Sequence, residues 1–149
     1  ADLWRLTADK TGENNTVSAN LSRPNDPSFG RIGTGMSESS GIFTFPRTGI
    51  YFIMFSAAWA HESNDNCDLS LEVSSDSGST FDRVAIAFDG NPSGDVKTGH
   101  CTAFSFVDVT NISTFQVKFT TGSVAATSRL LGAANRNETH FLFVRIGDT

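Results

Sequence analysis

The stretch Ile50–Ala60 reads IYFIMFSAAWA and is the longest apolar run in the chain. Its aromatic and β-branched residues favour a pleated strand, whose successive side chains point to opposite faces. The stretch is apolar on both of these faces, and so are His100–Val109 and Thr139–Ile146. In contrast, Cys67–Val73 and Phe115–Thr120 alternate between apolar and polar residues. This alternation is typical of strands with one face on a core and the other in water.

The rest of the sequence predicts an all-β protein. No segment places apolar residues at helical spacing over three turns, and Gly, Ser, Asn and Asp separate the candidate strands. The chain has 149 residues, of which 38% are hydrophobic and 18% charged, as suits one domain with a packed core. We therefore predict a single-domain antiparallel β-sandwich over residues 1–149. Its candidate strands are Leu3–Thr7, Gly30–Thr34, Gly41–Phe45, Ile50–Ala60, Cys67–Val73, Val84–Phe88, His100–Val109, Phe115–Thr120 and Thr139–Ile146.

In a sandwich, only one face of each strand packs on the core. The three strands that are apolar on both faces therefore have a second apolar face that must be buried against something else. No helix is predicted that could supply it. A partner chain is the simpler explanation, since several Phe side chains left in water would promote aggregation. Burying about 100 Å² of each of six rings at roughly 25 cal/mol per Å² amounts to about 15 kcal/mol per chain. In the alternative interpretation, some of these rings lie at strand ends under loops.

The segment Gly41–Tyr51 reads GIFTFPRTGIY. It resembles the signature of C1q/TNF-like jelly-roll domains, in which a strand ending in F-x-x-P leads through a tight Gly turn into a G-x-Y strand. The closing segment Thr139–Phe143, which reads THFLF, is similar to the final aromatic strand of the same family. The resemblance covers most of the chain from about Leu3 onward.

The resemblance implies a jelly roll that assembles as a compact homotrimer, with one sheet facing the threefold axis. The strands that begin at Ile50, His100 and Thr139 would belong to that sheet, and they are the same three that are apolar on both faces. We therefore predict a set of trimer-interface residues near the axis. They are Phe52, Met54, Phe104, Phe106, Phe141 and Phe143.

The segment Phe29–Gly41, which reads FGRIGTGMSESSG, looks like the C1q-like modules of tailed bacteriophages. The favoured function is a non-enzymatic capsid decoration (cement) protein of the virion, with a capsid protein as partner. The jelly roll is predicted to begin within a few residues of Ala1, leaving no shaft, and a trimer suits an icosahedral shell. Thr11–Asp26 is predicted to be an extended arm or a loop, and a decoration protein would use it as an arm that becomes ordered on the capsid or on a neighbouring subunit.

Two alternative functions belong to the same resemblance. The first is the receptor-binding head of a phage tail fibre, whose partner would be a host-surface receptor. The second is a secreted C1q/TNF-like trimeric ligand or lectin, which would be extracellular.

Charge and motifs exclude several other functions. The net charge of −5 and the pI near 5.0 would repel nucleic acid. The longest apolar run is too short to insert across a bilayer. The sequence has no G-x-S-x-G, no H-E-x-x-H and no phosphate-binding Gly loop. We therefore predict no catalytic residue, no cofactor and no enzymatic activity.

Ser74–Phe81, which reads SSDSGSTF, matches the S-x-D-x-G-x-T-[WF] pattern of an Asp box. Asp76 can accept backbone N–H bonds and Gly78 can adopt a positive φ, so the pattern predicts a hairpin turn between two outer strands. In sialidases the pattern recurs across propeller blades without being catalytic. One copy in this chain cannot form a propeller.

Cys67 and Cys101 each lie at the start of a strand, just after a loop. The resemblance implies that these loops lie at the same end of the sandwich, where a disulfide occurs in some ligands of the family. Two reduced buried thiols are the alternative.

No metal site is predicted, because the adjacent His100 and Cys101 would point to opposite faces of a strand. Asp89–Asp95 holds oxygen ligands without EF-hand spacing, which favours an ordinary polar loop over a calcium site.

Overall fold

The computed structural model describes residues 1–12, 14–62 and 64–149. These residues form twelve β-strands and no helix, so the predicted all-β class is confirmed. This part of the chain accordingly contains no helix of the length and apolarity that a membrane crossing requires. The strands are β1 Asp2–Leu6, β2 Ala8–Thr11, β3 Leu21–Ser22, β4 Ser37–Ser39, β5 Ile42–Thr44, β6 Gly49–His61, β7 Asp65–Ser74, β8 Asp82–Asn91, β9 Lys97–Val109, β10 Gln116–Gly122, β11 Arg129–Ala133 and β12 His140–Gly147.

Two antiparallel sheets form a sandwich-like arrangement. In the first, which we call sheet I, β9 pairs with the whole length of β6, and β12 also pairs with β6. Strands β1 and β3 continue beyond β12, while β11 and β2 extend the sheet at the carboxyl end of β6. Sheet II has the order β4-β5-β10-β7-β8. The three strands that are apolar on both faces, β6, β9 and β12, are therefore neighbours in one sheet.

The pairing of the longer strands is nested. Strands β7 and β8 form a hairpin, and outside this hairpin β6 pairs with β9, β5 with β10, and β1 with β12. The successive pairs lie alternately in sheet II and sheet I. These nested pairs lie on both sides of one hydrophobic core.

Aromatic rings fill the space between the two sheets. The ring centroid of Phe141, on sheet I, lies 4.6 Å from that of Phe119 and 4.9 Å from that of Phe55. Phe43 of sheet II lies 5.1 Å from Phe143 of sheet I. Such ring pairs contribute about 0.5–1.5 kcal/mol each beyond the apolar area that they bury. This cluster therefore joins the two sheets.

The alternation that the sequence predicts for β7 and β10 is confirmed. The apolar residues face the core, and Asp68, Glu72 and Lys118 between them remain partly exposed, as the pleat of a strand requires. Ser70 is the exception, because its side chain is fully buried. The buried core-side residues are Cys67, Leu69, Leu71, Val73, Val117 and Phe119.

Eight of the nine candidate strands form, and Gly30–Thr34 is the exception. This segment makes only an isolated bridge, between Arg31 and Asp2. The N–H of Leu3 donates to the carbonyl of Gly30 at 2.7 Å. The segment thus covers part of β1 without extending as a strand.

The described residues of the segment Thr11–Asp26 are docked on the sandwich and do not extend from it as an arm. Val17 is only 1% exposed, and its N–H donates to the carbonyl of Phe119 at 2.8 Å. At the far end of the segment, the carboxylate of Asp26 pairs with the buried guanidinium of Arg5 at 2.9 Å. Apolar burial and a partly buried charge pair hold the stretch on its own chain, which corrects the expectation of an extended arm. Within this stretch, Glu13 lies outside the described residues.

Candidate interaction surface

The face of sheet I that points away from the core carries a continuous apolar patch. The strand register places Phe52 opposite Phe106 on β9 and opposite Val144 on β12. Two residues further along β6, Met54 lies opposite Phe104 and Leu142. Residues paired across antiparallel strands point to the same face. We call the resulting set the outer apolar face: Phe52, Met54, Phe104, Phe106, Leu142 and Val144.

The two Phe side chains on β9 are the most exposed members of this face. Phe104 is 59% exposed and Phe106 is 61% exposed, whereas the other four members are half-buried. The ring of Phe52 lies between them, with centroids 5.8 Å from Phe104 and 5.5 Å from Phe106. Roughly 100 Å² of each of these two rings is in contact with solvent. Burying that area against another chain would contribute about 2.5 kcal/mol per ring to the free energy of association. Contiguous exposed rings of this kind mark interaction sites.

Phe141 and Phe143 are not part of this face. They are 0% and 1% exposed, because their register partners on β6, Phe55 and Ile53, also point into the core. This placement corrects the prediction that both residues lie at a trimer interface. The side chains of β12 that do reach the outer apolar face are Leu142 and Val144.

A polar cluster bounds the outer apolar face toward the carboxyl end of β6. The hydroxyl of Ser56 lies 3.1 Å from Nε2 of His100 and 3.0 Å from the hydroxyl of Thr102. His140 lies opposite Ser56 on β12. Burial lowers the pKa of the His140 imidazole, and the neighbouring His100 lowers it further. The apolar patch therefore ends at this polar cluster.

A second exposed apolar surface lies on β8, at the edge of sheet II. Val84, Ile86 and Phe88 alternate along the strand and are 42%, 39% and 65% exposed. The residues between them, Ala85 and Ala87, pack against the core. We call the three exposed residues the β8 stripe. Strand β8 contacts β9 of sheet I, but the stripe lies on the outer side of sheet II and the outer apolar face on the outer side of sheet I.

The loop between β7 and β8 contains the Asp box. Asp76 accepts hydrogen bonds from the N–H of Thr80 at 2.9 Å and from the hydroxyls of Thr80 and Ser74, both at 2.7 Å. The N–H of Gly78 donates to the hydroxyl of Ser74, and Gly78 has a φ of +83°. The carboxylate therefore organises the turn of a hairpin on sheet II.

We expect the stabilising effect of Asp76 to depend on pH. The backbone N–H of Thr80, then its hydroxyl and that of Ser74, lower the pKa of Asp76 from 3.8 to about 2. A folded-state pKa below the unfolded value stabilises the fold above about pH 4, and this contribution is lost as the pH falls toward 2. Asp76→Asn should therefore lower the urea midpoint at neutral pH and have little effect near pH 2.

The matched control for this prediction is Asp82→Asn, which removes an exposed carboxylate from the start of β8. This variant should unfold like the parent at both pH values. An Asp76→Asn deficit of the same size at both pH values would contradict the role assigned to the ionised carboxylate.

Cys67 and Cys101 are free, buried thiols in the structure, which is the second of the two states left open by the sequence. The indole N–H of Trp59 donates to Sγ of Cys101 at 3.4 Å, and the thiol of Cys67 donates to the carbonyl of Asp89 at 3.5 Å. Burial is the main cause that raises the pKa of both thiols, that of Cys101 to about 11.

Both thiols should be unreactive while the chain is folded. The thiolate is the nucleophile, and at about pH 8 a thiol with a strongly raised pKa is almost entirely protonated. We expect iodoacetamide to leave the native chain unlabelled and to label both cysteines after unfolding in guanidinium chloride, as measured by intact mass. Rapid labelling of the native chain would show that the thiols are accessible.

The loop Asp89–Asp95 is held by contacts within the chain. Oδ2 of Asp89 lies 3.2 Å from Nε2 of the buried His61, and Oδ2 of Asp65 lies 3.5 Å from the other ring nitrogen of His61. The amide of Asn91 donates to the carbonyl of Asp95 at 2.6 Å. His61 is therefore hydrogen-bonded to Asp89 under the loop, while Nδ1 of His61 and Oδ2 of Asp65 are buried next to each other without a hydrogen-bond partner among the described residues.

No protein-family model matches the chain, and a search of curated proteins finds no significant match. The surfaces described above are consequently the basis for assigning a function.

Proposed function

We propose that this protein is a non-enzymatic structural protein of a virion, a jelly-roll homotrimer that decorates a phage capsid. The observation that carries the proposal is the outer apolar face, on which Phe104 and Phe106 each expose more than half of their side chain. A surface of this kind is best explained by association with another protein chain.

The nested strand pairing supports the jelly-roll assignment. A jelly roll has two antiparallel sheets made from a rolled double strand, so that the first strand pairs with the last and the innermost two form a hairpin. The pairs β1/β12, β5/β10, β6/β9 and β7/β8 follow this order and alternate between the sheets.

Two separate apolar surfaces on one chain favour a ring of subunits. In a head-to-tail ring, each subunit uses two different patches, one for each neighbour. The outer apolar face and the β8 stripe supply two such patches, on sheet I and sheet II respectively. A twofold dimer that used only the outer apolar face would leave Val84, Ile86 and Phe88 exposed to solvent. The trimer is the ring that the resemblance to C1q/TNF-like domains implies.

The virion role is inferred from the resemblance of Phe29–Gly41 to phage C1q-like modules and from symmetry. Threefold and quasi-threefold positions recur across an icosahedral shell, and a small trimer can occupy each of them. The structural contacts of two histidines are in keeping with a non-enzymatic role. His61 contacts the carboxylate of Asp89, and His100 contacts Ser56.

The copy number of this chain in purified particles of its source phage tests the proposed function. Quantitative mass spectrometry relative to the major capsid protein should give hundreds of copies per particle, in simple proportion to the shell. A handful of copies would contradict decoration and indicate the head of a tail fibre. Absence from the particle would contradict a virion role and indicate a secreted trimer.

A further inference from the structure

A cavity of about 260 Å³ lies near the amino end of β6, away from the polar end of the outer apolar face. It is formed where the turn before β6, the segment 32–36 and the end of β12 meet. Its walls combine two arginines and a tyrosine with apolar side chains. The lining residues include Arg47, Arg145, Tyr51, Ile32, Met36 and Phe143.

The charges that remain unpaired at this cavity are positive, although the chain carries a net charge of −5. Asp2 also lines the cavity, but its carboxylate accepts hydrogen bonds from Arg23 at 2.7 and 2.8 Å. It also accepts from the indole of Trp4 at 2.9 Å and from the N–H of Met36 at 2.7 Å. Its negative charge is therefore compensated within the fold.

Arg47 is the free cation of the pair. Among residues 1–12, 14–62 and 64–149, its guanidinium has no hydrogen-bond or ion-pair partner. Arg145 contacts the exposed carboxylate of Asp148. Burial raises the pKa of Tyr51, while the charges of Arg145 and Arg47 act in the opposite direction, so both cations lie close to this phenol.

The backbone holds these groups in position. Nε of Arg145 donates to the carbonyl of Thr48 at 2.8 Å. A Cβ on Gly49, which has a φ of +136°, would lie 2.5 Å from that same Nε, so the glycine leaves room for the guanidinium. The hydroxyl of Tyr51 donates to the carbonyl of Arg47 at 2.9 Å and fixes the turn. The site is therefore largely preformed.

We propose that this cavity binds a sugar-sized organic anion, whose carboxylate or phosphate lies between Arg47 and Arg145. The planar guanidinium group suits both kinds of oxyanion, with two parallel N–H donors. Ile32, Met36 and Phe143 offer an apolar wall to the carbon skeleton of the ligand. The volume lies just below the usual range of ligand pockets, about 300–1,000 Å³, which limits the ligand to about one ring.

Titration of the full chain with three sugars of similar size tests this proposal. Glucuronate carries a carboxylate, glucose 6-phosphate carries a phosphate, and glucose is neutral. We expect at least one anion to shift the amide NMR signals of segment 32–36 and of Arg47, with glucose producing no shift. Binding of glucuronate alone would identify a carboxylate ligand, and binding of the phosphate alone would identify a phosphate ligand. Equal binding of glucose, or no shift with either anion at tens of millimolar, would overturn the proposal.

Arg47→Gln and Arg136→Gln are the matched variants. Both remove one exposed arginine, but Arg136 pairs with Glu138 outside the cavity. Loss of a charge-assisted contact should weaken anion binding about tenfold in Arg47→Gln and leave it unchanged in Arg136→Gln. Unchanged affinity in Arg47→Gln would overturn the proposal. Because binding is measured on the isolated chain, the result is independent of virion copy number.

Discussion

Phe104→Asp is expected to convert the proposed trimer into a folded monomer. In a single chain this side chain is 59% exposed, so a carboxylate at this position meets water and the sandwich can still form. In the trimer, the same carboxylate would be buried among apolar side chains, and burying an unpaired charge costs several kcal/mol. Light scattering should give the mass of one chain, while circular dichroism should retain the β-sheet spectrum of the parent.

The matched control for Phe104→Asp is Ile112→Asp. Ile112 is also an exposed apolar residue, at 44%, but it lies in the loop between β9 and β10. Ile112→Asp should therefore keep the mass of the parent. If Phe104→Asp remains trimeric, or if Ile112→Asp dissociates to the same extent, the interface does not include the outer apolar face.

Phe141→Ala is expected to have the largest effect on the stability of the single chain. Its ring is fully buried and packs on Phe119 and Phe55, so the change leaves a cavity between the two sheets. Truncating a buried Phe costs about 3–5 kcal/mol of unfolding free energy. Urea denaturation in the Phe104→Asp background measures this cost without a contribution from subunit association.

Leu142→Ala, one residue away, supplies the comparison. Leu142 is half-buried on the outer apolar face, so its truncation in the same monomeric background should cost much less than that of Phe141. In the wild-type background, Leu142→Ala should instead weaken association. Equal losses for the two variants in the monomer would contradict the assignment of Phe141 to the core and Leu142 to the outer face.

The sequence predicts which strands have two apolar faces, but it does not predict which face of β12 points inward. The alternation of a strand places Phe141 and Phe143 on one face and Leu142 and Val144 on the other. Because both sets are apolar, the pattern does not show which face is buried in the core. The distinction comes from the register with β6, which pairs Phe141 with Phe55 and Leu142 with Met54. Such long-range pairing leaves no mark in the local pattern.

The short strands could not be predicted either. Strand β2 reads ADKT and β4 reads SES, and neither has the apolar alternation of a strand. They form because each pairs with a neighbour, β2 with β11 and β4 with β5. Edge strands of this kind depend on tertiary context, which outweighs local propensity.

The sequence does not predict the cavity, for a related reason. Arg47 and Arg145 are far apart in the chain, and single arginines on a turn and on a strand carry no local signature. The resemblance of Gly41–Tyr51 implies a tight turn at Gly49, but only the fold brings Arg145 over that glycine. The signal available in the sequence was therefore limited to the turn itself.

The solution mass of the wild-type chain tests the proposed assembly most directly. Size-exclusion chromatography with multi-angle light scattering should give three times the 16.0 kDa of one chain, independent of concentration over the micromolar range. A mass of 16.0 kDa would contradict the trimer and leave the outer apolar face to a different partner.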